Sequence, residues 1–210
     1  MSEAIETGQI SDAVERWPVT ASAQLAAGGL VRLRRDTVRM PDGQTAGREA
    51  VEHPGAVAVL ALDETDRVLM IRQYRHPVRR LLWEIPAGLR DVAGEPLLLT
   101  GQRELLEEAG YRADDWRVLA DIFTSPGIST ERVRIFLARG LSEVPVAERT
   151  YIPVHEEAQL MLGWVPLEAA VARYLAGDLH NGVTAVGVLS AYAARKEGFA
   201  ALRGADAPER

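Results

Sequence analysis

A strand, a tight loop and a glutamate-bearing helix follow one another between Trp83 and Tyr111, and no other stretch of the 210 residues restricts the fold as much. Trp83-Glu84-Ile85-Pro86-Ala87-Gly88-Leu89 reads as a short apolar strand running into a Pro/Gly loop. Glu95-Pro96 starts a helix, because proline in the first turn gives up no hydrogen bond and an acid there suits the positive end of the helix dipole. Gly110 stops it with a residue that tolerates positive φ. Leu98, Leu105, Leu106 and Ala109 supply the apolar stripe by which the helix docks. Glu104, Glu107 and Glu108 project over the same two turns. Like charges so spaced repel by roughly 0.2–0.5 kcal/mol per pair. Arg103, four positions before Glu107, orients one carboxylate, and a hard divalent cation such as Mg²⁺ offsets the remaining repulsion by binding oxygen. Three glutamates alone fit a solvated acidic face equally well; the strand, the loop and the helix signals around them make a rigid frame for metal.

Composition sets the outer limits. A hydrophobic share of 47% is enough for a core, and 210 residues make one large domain or a domain with an appendage. No apolar run reaches membrane-spanning length, and the acidic start Met1-Ser2-Glu3 does not read as a secretory signal. The chain has no cysteine, which excludes disulfides and thiolate chemistry and suits a cytoplasmic location. A net charge of -6 argues against nucleic acid as a partner, so an anionic substrate is drawn in by local basic groups and metal.

Along the chain, residues 1 to about 25 have weak periodicity and are expected to form an irregular arm. Leu30–Arg39 alternates as a half-buried strand does, and Pro41-Asp42-Gly43 turns it into a second strand ending near His53. Strands are expected at Ala56–Leu62, Val68–Tyr74, Trp116–Phe123, Arg132–Ala138 and Leu160–Val165, and helices at Leu167–Ala176 and Thr184–Lys196 with Asn181 near the start of the second. From Gly198 the tail is expected to be loose. Strands mixed with helices mean an α/β layered fold with three parts: 1–53, 54–197 and 198–210.

The run Gly88 … Glu95 … Arg103-Glu104-Leu105-Leu106-Glu107-Glu108-Ala109-Gly110-Tyr111 resembles the signature of the Nudix hydrolases: Gly, five residues, Glu, seven residues, Arg-Glu-apolar-any-Glu-Glu-any-Gly-apolar. Here six residues, not five, separate Gly88 from Glu95; the other segments fit position for position. The resemblance implies an α/β/α sandwich with a mixed sheet over roughly 54–197, preceded by an N-terminal β-hairpin. It is similar in particular to the ADP-ribose pyrophosphatase branch, of actinobacterial type, in which the N-terminal strands take part in a homodimer. The similarity extends to Arg48-Glu49, Val51-Glu52-His53, Gln73-Tyr74-Arg75-His76 and Ser125-Pro126-Gly127, with Pro126 standing sixteen positions after Gly110. The variant Asp91-Val92-Ala93-Gly94-Glu95-Pro96 is a trait shared with that subgroup.

What the resemblance implies is an ADP-ribose diphosphatase, an enzyme acting on acid anhydrides in phosphorus-containing compounds. It splits ADP-ribose into AMP and ribose 5-phosphate with Mg²⁺, Mn²⁺ being a possible substitute. Glu104, Glu108 and the Ala87 carbonyl are the expected metal ligands, with Glu107 on a further ion or on Arg103 and Glu95 a loop group. The base is expected from the loop Leu141–Gln159, at Glu157 or its neighbour Glu156, with Glu157 also able to reach metal when the loop closes; His155 beside them is incidental. Arg48 and Arg75 are the expected substrate cations, and Pro126 and Glu131 shape the ribose side. Tyr74, Trp83 and Phe123 are aromatic platforms in outline, at least two of them expected to end in the core. A nucleotide sugar or dinucleotide is the alternative substrate, and a non-catalytic ADP-ribose-binding regulator is a third reading. Against the last, the signature glutamates are intact and no room remains for a winged helix after Lys196.

Overall fold

The structure, a computed structural model, describes residues 10–149, 151 and 160–209. The chain divides between Glu52 and His53 into two compact units. The first holds three antiparallel strands, β1 (Val19–Ala27), β2 (Arg32–Arg39) and β3 (Thr45–Glu52), in the order β1-β2-β3. Residues expected to be an irregular arm therefore include a nine-residue strand, and the N-terminal element is a three-stranded sheet, not a hairpin. Every residue of β1 is exposed. Its sequence, VTASAQLAA, lacks the apolar contrast that marks a strand, and its state is set by pairing with β2.

The second unit continues with β4 (Ala56–Ala61), β5 (Arg67–Arg75), β6 (Arg80–Glu84), β7 (Ala87–Leu89), α1 (Leu97–Ala109), β8 (Tyr111–Phe123), β9 (Arg132–Glu143), β10 (Met161–Pro166), α2 (Leu167–Leu175), α3 (Gly182–Arg195) and β11 (Arg203–Gly204). One mixed sheet has the order β11-β8-β9-β4-β7, and only the β4–β9 pair in it is parallel. A second, antiparallel sheet has the order β10-β5-β6.

Both faces of the central strands are covered, which is why they read as continuous apolar runs instead of alternating ones. Val57, Val59 and Ala61 of β4 join Phe136 and Ala138 of β9 in a core with Leu105 and Ala109 of α1. Ala58 and Leu60, one residue out of phase, join Ile135 and Leu137 in the opposite core with Ala170 of α2 and Val188 and Ala191 of α3. This is the α/β/α layering expected. A glycine lets α1 and α3 approach: a Cβ at Gly101 of α1 would stand 3.2 Å from Val57 Cγ1, and one at Gly187 of α3 would stand 3.1 Å from Ile85 Cδ1. Asn181 caps α3 through its side chain, which accepts from the Thr184 N–H at 2.9 Å.

Two further expectations are corrected. Gly88 does not lie in a loop: Ala87–Leu89 pairs with Ala56–Ala58 as an edge strand of the mixed sheet. The segment after Gly198 is not loose either. Phe199 is buried, Arg203–Gly204 pairs with Arg117–Val118 of β8, and Ala205 and Ala207 pack on the α1-side core. What holds it is a buried ion cluster. Arg134 is bidentate to Asp121 at 2.7 and 2.9 Å and donates to the Ala207 carbonyl at 2.7 Å, while Arg203 meets Asp121 at 2.8 Å. The second unit thus runs through this tail instead of ending at 197.

Candidate active site

α1 begins after Pro96, which sits at the cap position, and ends at Gly110 with φ 73. Its glutamates are thereby set against β7. The Glu108 carboxylate accepts from the Ala87 N–H at 2.8 Å, which fixes the two expected metal-binding positions side by side. Glu104 lies against Gly88, where any Cβ would fall on its carboxylate, so glycine there is a demand of space. Glu104 is only 8% exposed. Burial pushes its carboxyl up to about 7; the Arg103 guanidinium opposes this, and the Glu107 and Asp91 carboxylates add to it.

Arg103 does more than orient a single carboxylate. Its guanidinium lies 2.6 Å from Glu104, 3.3 Å from Glu107, 3.3 Å from Glu95 and 3.8 Å from Asp91. One cation thus serves four acids, and Glu95, which also accepts from the Thr100 hydroxyl at 2.8 Å, ties the loop before α1 to the helix. Hydrogen bonds from Arg103 and then Thr100 hold the Glu95 carboxyl below its ordinary range. Glu95 thereby fastens the loop to the first two turns of α1.

The remaining expected residues fall in different places. Arg75 spends its planar fork on Glu84, with contacts of 3.0, 3.1 and 2.6 Å to a carboxylate whose side chain is 3% exposed. Pro126 is exposed in the turn between β8 and β9, closed by the Ile128 N–H donating to the Ser125 carbonyl at 3.0 Å. Glu131, at the end of that loop, accepts from the Thr124 hydroxyl and lies 3.8 Å from His53 Nδ1. Arg48 belongs to β3 of the N-terminal unit, exposed, with one guanidinium N–H donated to the Gly47 carbonyl at 2.9 Å. His155, Glu156 and Glu157 lie outside the described residues. Of the three aromatics, only Trp83 packs against the core; Tyr74 is 42% and Phe123 51% exposed, and the Arg132 guanidinium stands 4.9 Å over the Phe123 ring. At least two had been expected inside; a place at the end of a strand keeps Tyr74 and Phe123 out.

Glu84, Arg90, Asp121 and Arg134 were not singled out from sequence. A signal existed for two of them: a lone charge within an apolar run, as in Trp83-Glu84-Ile85 and Val133-Arg134-Ile135, marks a paired buried ion. Among the described residues no group of three or more acids or histidines is arranged to hold a metal ion. The donor chemistry nevertheless fits a hard cation: carboxylate oxygens of one helix face lie against the β7 backbone at Ala87 and Gly88, and Arg103 already supplies positive charge between Glu104 and Glu107.

The chain is similar to several known proteins. The family model of the NUDIX domain matches residues 52–185. A protein of Mycobacterium tuberculosis named ADP-ribose pyrophosphatase is 48% identical over 186 residues, 89% of this chain and 87% of the relative. A Bacillus subtilis protein of the same name is 36% identical over 168 residues, 80% of this chain and 88% of the relative. The methanol dehydrogenase activator of Bacillus methanolicus is 42% identical over 120 residues, 57% of this chain and 64% of its own. A crystal structure of an ADP compounds hydrolase superposes with a TM-score of 0.73 at 19% identity, covering 90% of this chain and 99% of that one, which speaks to the fold alone.

Proposed function

The chain belongs to the Nudix family of hydrolases, and from that premise we propose that it hydrolyses the pyrophosphate bond of ADP-ribose to AMP and ribose 5-phosphate. The observation that carries the substrate is the 48% identity, over 89% of the chain, to a protein named ADP-ribose pyrophosphatase. The chemistry needs clustered carboxylates, and Glu108 against Ala87 with Glu104 against Gly88 supports that reading.

Enzymes of this family typically depend on Mg²⁺. The ion would be held by the Ala87 carbonyl, Glu104 and Glu108, with Glu157 joining from the segment between Tyr151 and Leu160; Mn²⁺ is the substitute of the same donor preference. When bound it supplies charge neutralisation at the diphosphate and a lowered pKa for water. The protein's own groups do the rest. Glu108, pinned by the Ala87 N–H, and Glu104, wedged at Gly88, present oxygens in fixed positions, so little is lost to reorganisation. Arg103 keeps the four surrounding acids from repelling one another. Glu157, or Glu156 beside it, is the proposed base, because carboxylates clamped on metal accept protons poorly.

Arg48, Arg75, Pro126 and Glu131 are the proposed substrate contacts. For Arg75 this requires sharing its guanidinium between Glu84 and a phosphate. For Glu131 it requires a ribose hydroxyl beside the Thr124 hydroxyl that it already accepts. A homodimer built through the N-terminal unit is part of the same proposal. A three-stranded sheet needs a covered apolar face to stand alone, and Trp17, Val19, Leu25 and Leu30 there are exposed. A cytoplasmic location is also part of it.

The test is incubation with Mg²⁺ and, separately, ADP-ribose, ADP-glucose, NADH and diadenosine phosphates, following AMP release. ADP-ribose should turn over fastest. Preferred release from a dinucleotide or nucleotide sugar would move the chain to another nucleoside diphosphate.

A further inference from the structure

The segment Arg203–Glu209 ends beside the loop that precedes α1, and the contacts it makes there are specific. Arg203 and Gly204 pair with β8, the Ala207 N–H donates back to the Gly204 carbonyl at 3.0 Å, and the Ala207 carbonyl is fixed by buried Arg134 at 2.7 Å. From that anchor Glu209 reaches Arg90 at 3.2 Å and Arg132 at 3.9 Å. Arg90 is the first residue after β7, and its N–H donates to the Gly55 carbonyl at 3.1 Å. Asp91, next in the chain, lies 3.8 Å from Arg103, and Glu95 closes the loop onto Arg103 at 3.3 Å. A continuous line of contacts therefore runs from Glu209 through Arg90 and the loop to the guanidinium that sits between Glu104 and Glu107.

We infer that Arg203–Glu209 is a strap that positions the loop between Gly88 and Glu95 for cation binding, with Glu209 and Arg90 as positioning residues that act through Arg103. The physical reason is the loop itself. It carries one residue more than the family spacing and contains Gly94 with φ 78; its own backbone closes only its far end, where the Glu95 N–H donates to the Val92 carbonyl at 3.2 Å. Fastened at the Glu95 end by Thr100 and Arg103, it is fastened at the Arg90 end by one backbone hydrogen bond and the Glu209 carboxylate. Release of Glu209 lets Asp91 leave Arg103, and the guanidinium then settles more tightly on Glu104 and Glu107, in competition with metal.

The inference rests on the metal-dependent reading of the site but not on the identity of the substrate, and the experiment separates the two. Mn²⁺ binding to the substrate-free protein is measured by calorimetry for wild type, Glu209→Gln and Glu209→Asp, alongside thermal midpoints. The Glu209→Gln protein should bind Mn²⁺ about 10-fold more weakly, as supporting residues beyond the ligands do, with the thermal midpoint unchanged and Glu209→Asp recovering part of the affinity. In turnover with Mg²⁺ the half-saturating metal concentration should rise while KM for the nucleotide stays put. Equal Mn²⁺ affinity in wild type and Glu209→Gln overturns the strap, as does a wild type that binds no Mn²⁺ or a loss traced to unfolding. If Mn²⁺ binding responds as expected while ADP-ribose is not hydrolysed, the strap stands and the substrate assignment falls.

Discussion

The Glu104 carboxylate occupies the space that the β-carbon of residue 88 would fill, so position 88 is glycine because position 104 is glutamate. Neither residue explains itself alone. β7 must run close to α1 for Ala87 to meet Glu108, and that approach leaves no volume for a side chain opposite Glu104.

Gly88→Ala is therefore expected to act on chemistry more than on folding. The methyl group pushes the Glu104 carboxylate aside, and displacement of a positioned group by about 1 Å costs on the order of 100-fold in rate. Turnover should drop by that order while the circular dichroism spectrum stays native. A variant with wild-type turnover would mean that Glu104 does not act from the place it occupies here.

Glu104→Gln and Glu108→Gln keep size and one carbonyl oxygen but lose the charge. Glu108→Gln can still accept from the Ala87 N–H, so its fold should hold. Both should lose at least about 100-fold in turnover at limiting Mg²⁺, consistent with the dependence of metal sites on their oxygen donors. Steady-state kinetics across a Mg²⁺ titration checks this, and full activity in either variant removes that residue from the metal.

Much of this site was legible because it is local. Pro96 and Gly110 bound one helix and the three glutamates lie within it, so its limits and faces follow from residue type and spacing. What sequence did not reveal is non-local. The strand character of Gly88 depends on pairing with Val57, and that of β1 on pairing with β2. The order of the tail depends on Asp121 and Arg134, some seventy to eighty positions upstream. Short polar and alanine-rich stretches carry no periodic signal of their own, so tertiary partners decide their state. The segment bearing Glu157 was placed from resemblance, not from any pattern in its residues.

Asp121 gives a dependence on pH whose sign can be worked out. Burial alone would raise its pKa, but hydrogen bonds and charge from Arg134 and Arg203 outweigh burial and hold it below the ordinary 3.8. A carboxyl depressed in the fold contributes stability at pH above its unfolded value, and that contribution is lost as pH falls through the folded value. The loss therefore belongs to the acid limb below about pH 4. Asp121→Asn should lower stability at pH 7 by about 3–5 kcal/mol, the cost of leaving a buried charge without its partner. It should also flatten the acid limb. Urea unfolding at pH 7 and pH 3 tests both; a variant as stable as wild type at pH 7 would show that Arg134 finds another partner.

Arg75 separates a structural duty from a binding one. Its fork meets Glu84, whose side chain is 3% exposed, and that carboxylate cannot turn to water if the arginine is lost. Arg75→Ala should therefore destabilise the fold by about 3 kcal/mol through the unpaired buried charge, and Arg75→Ala with Glu84→Gln should regain a good part of it. A phosphate-binding duty has a different signature: KM for the nucleotide rises and the double variant does not restore it. Paired measurements of the unfolding midpoint and KM on the single and double variants distinguish the two. Stability recovery with KM still elevated is the expected pattern, because the Arg75 side chain is 42% exposed and the proposed phosphate contact does not depend on Glu84. Unchanged KM in Arg75→Ala would confine Arg75 to holding Glu84.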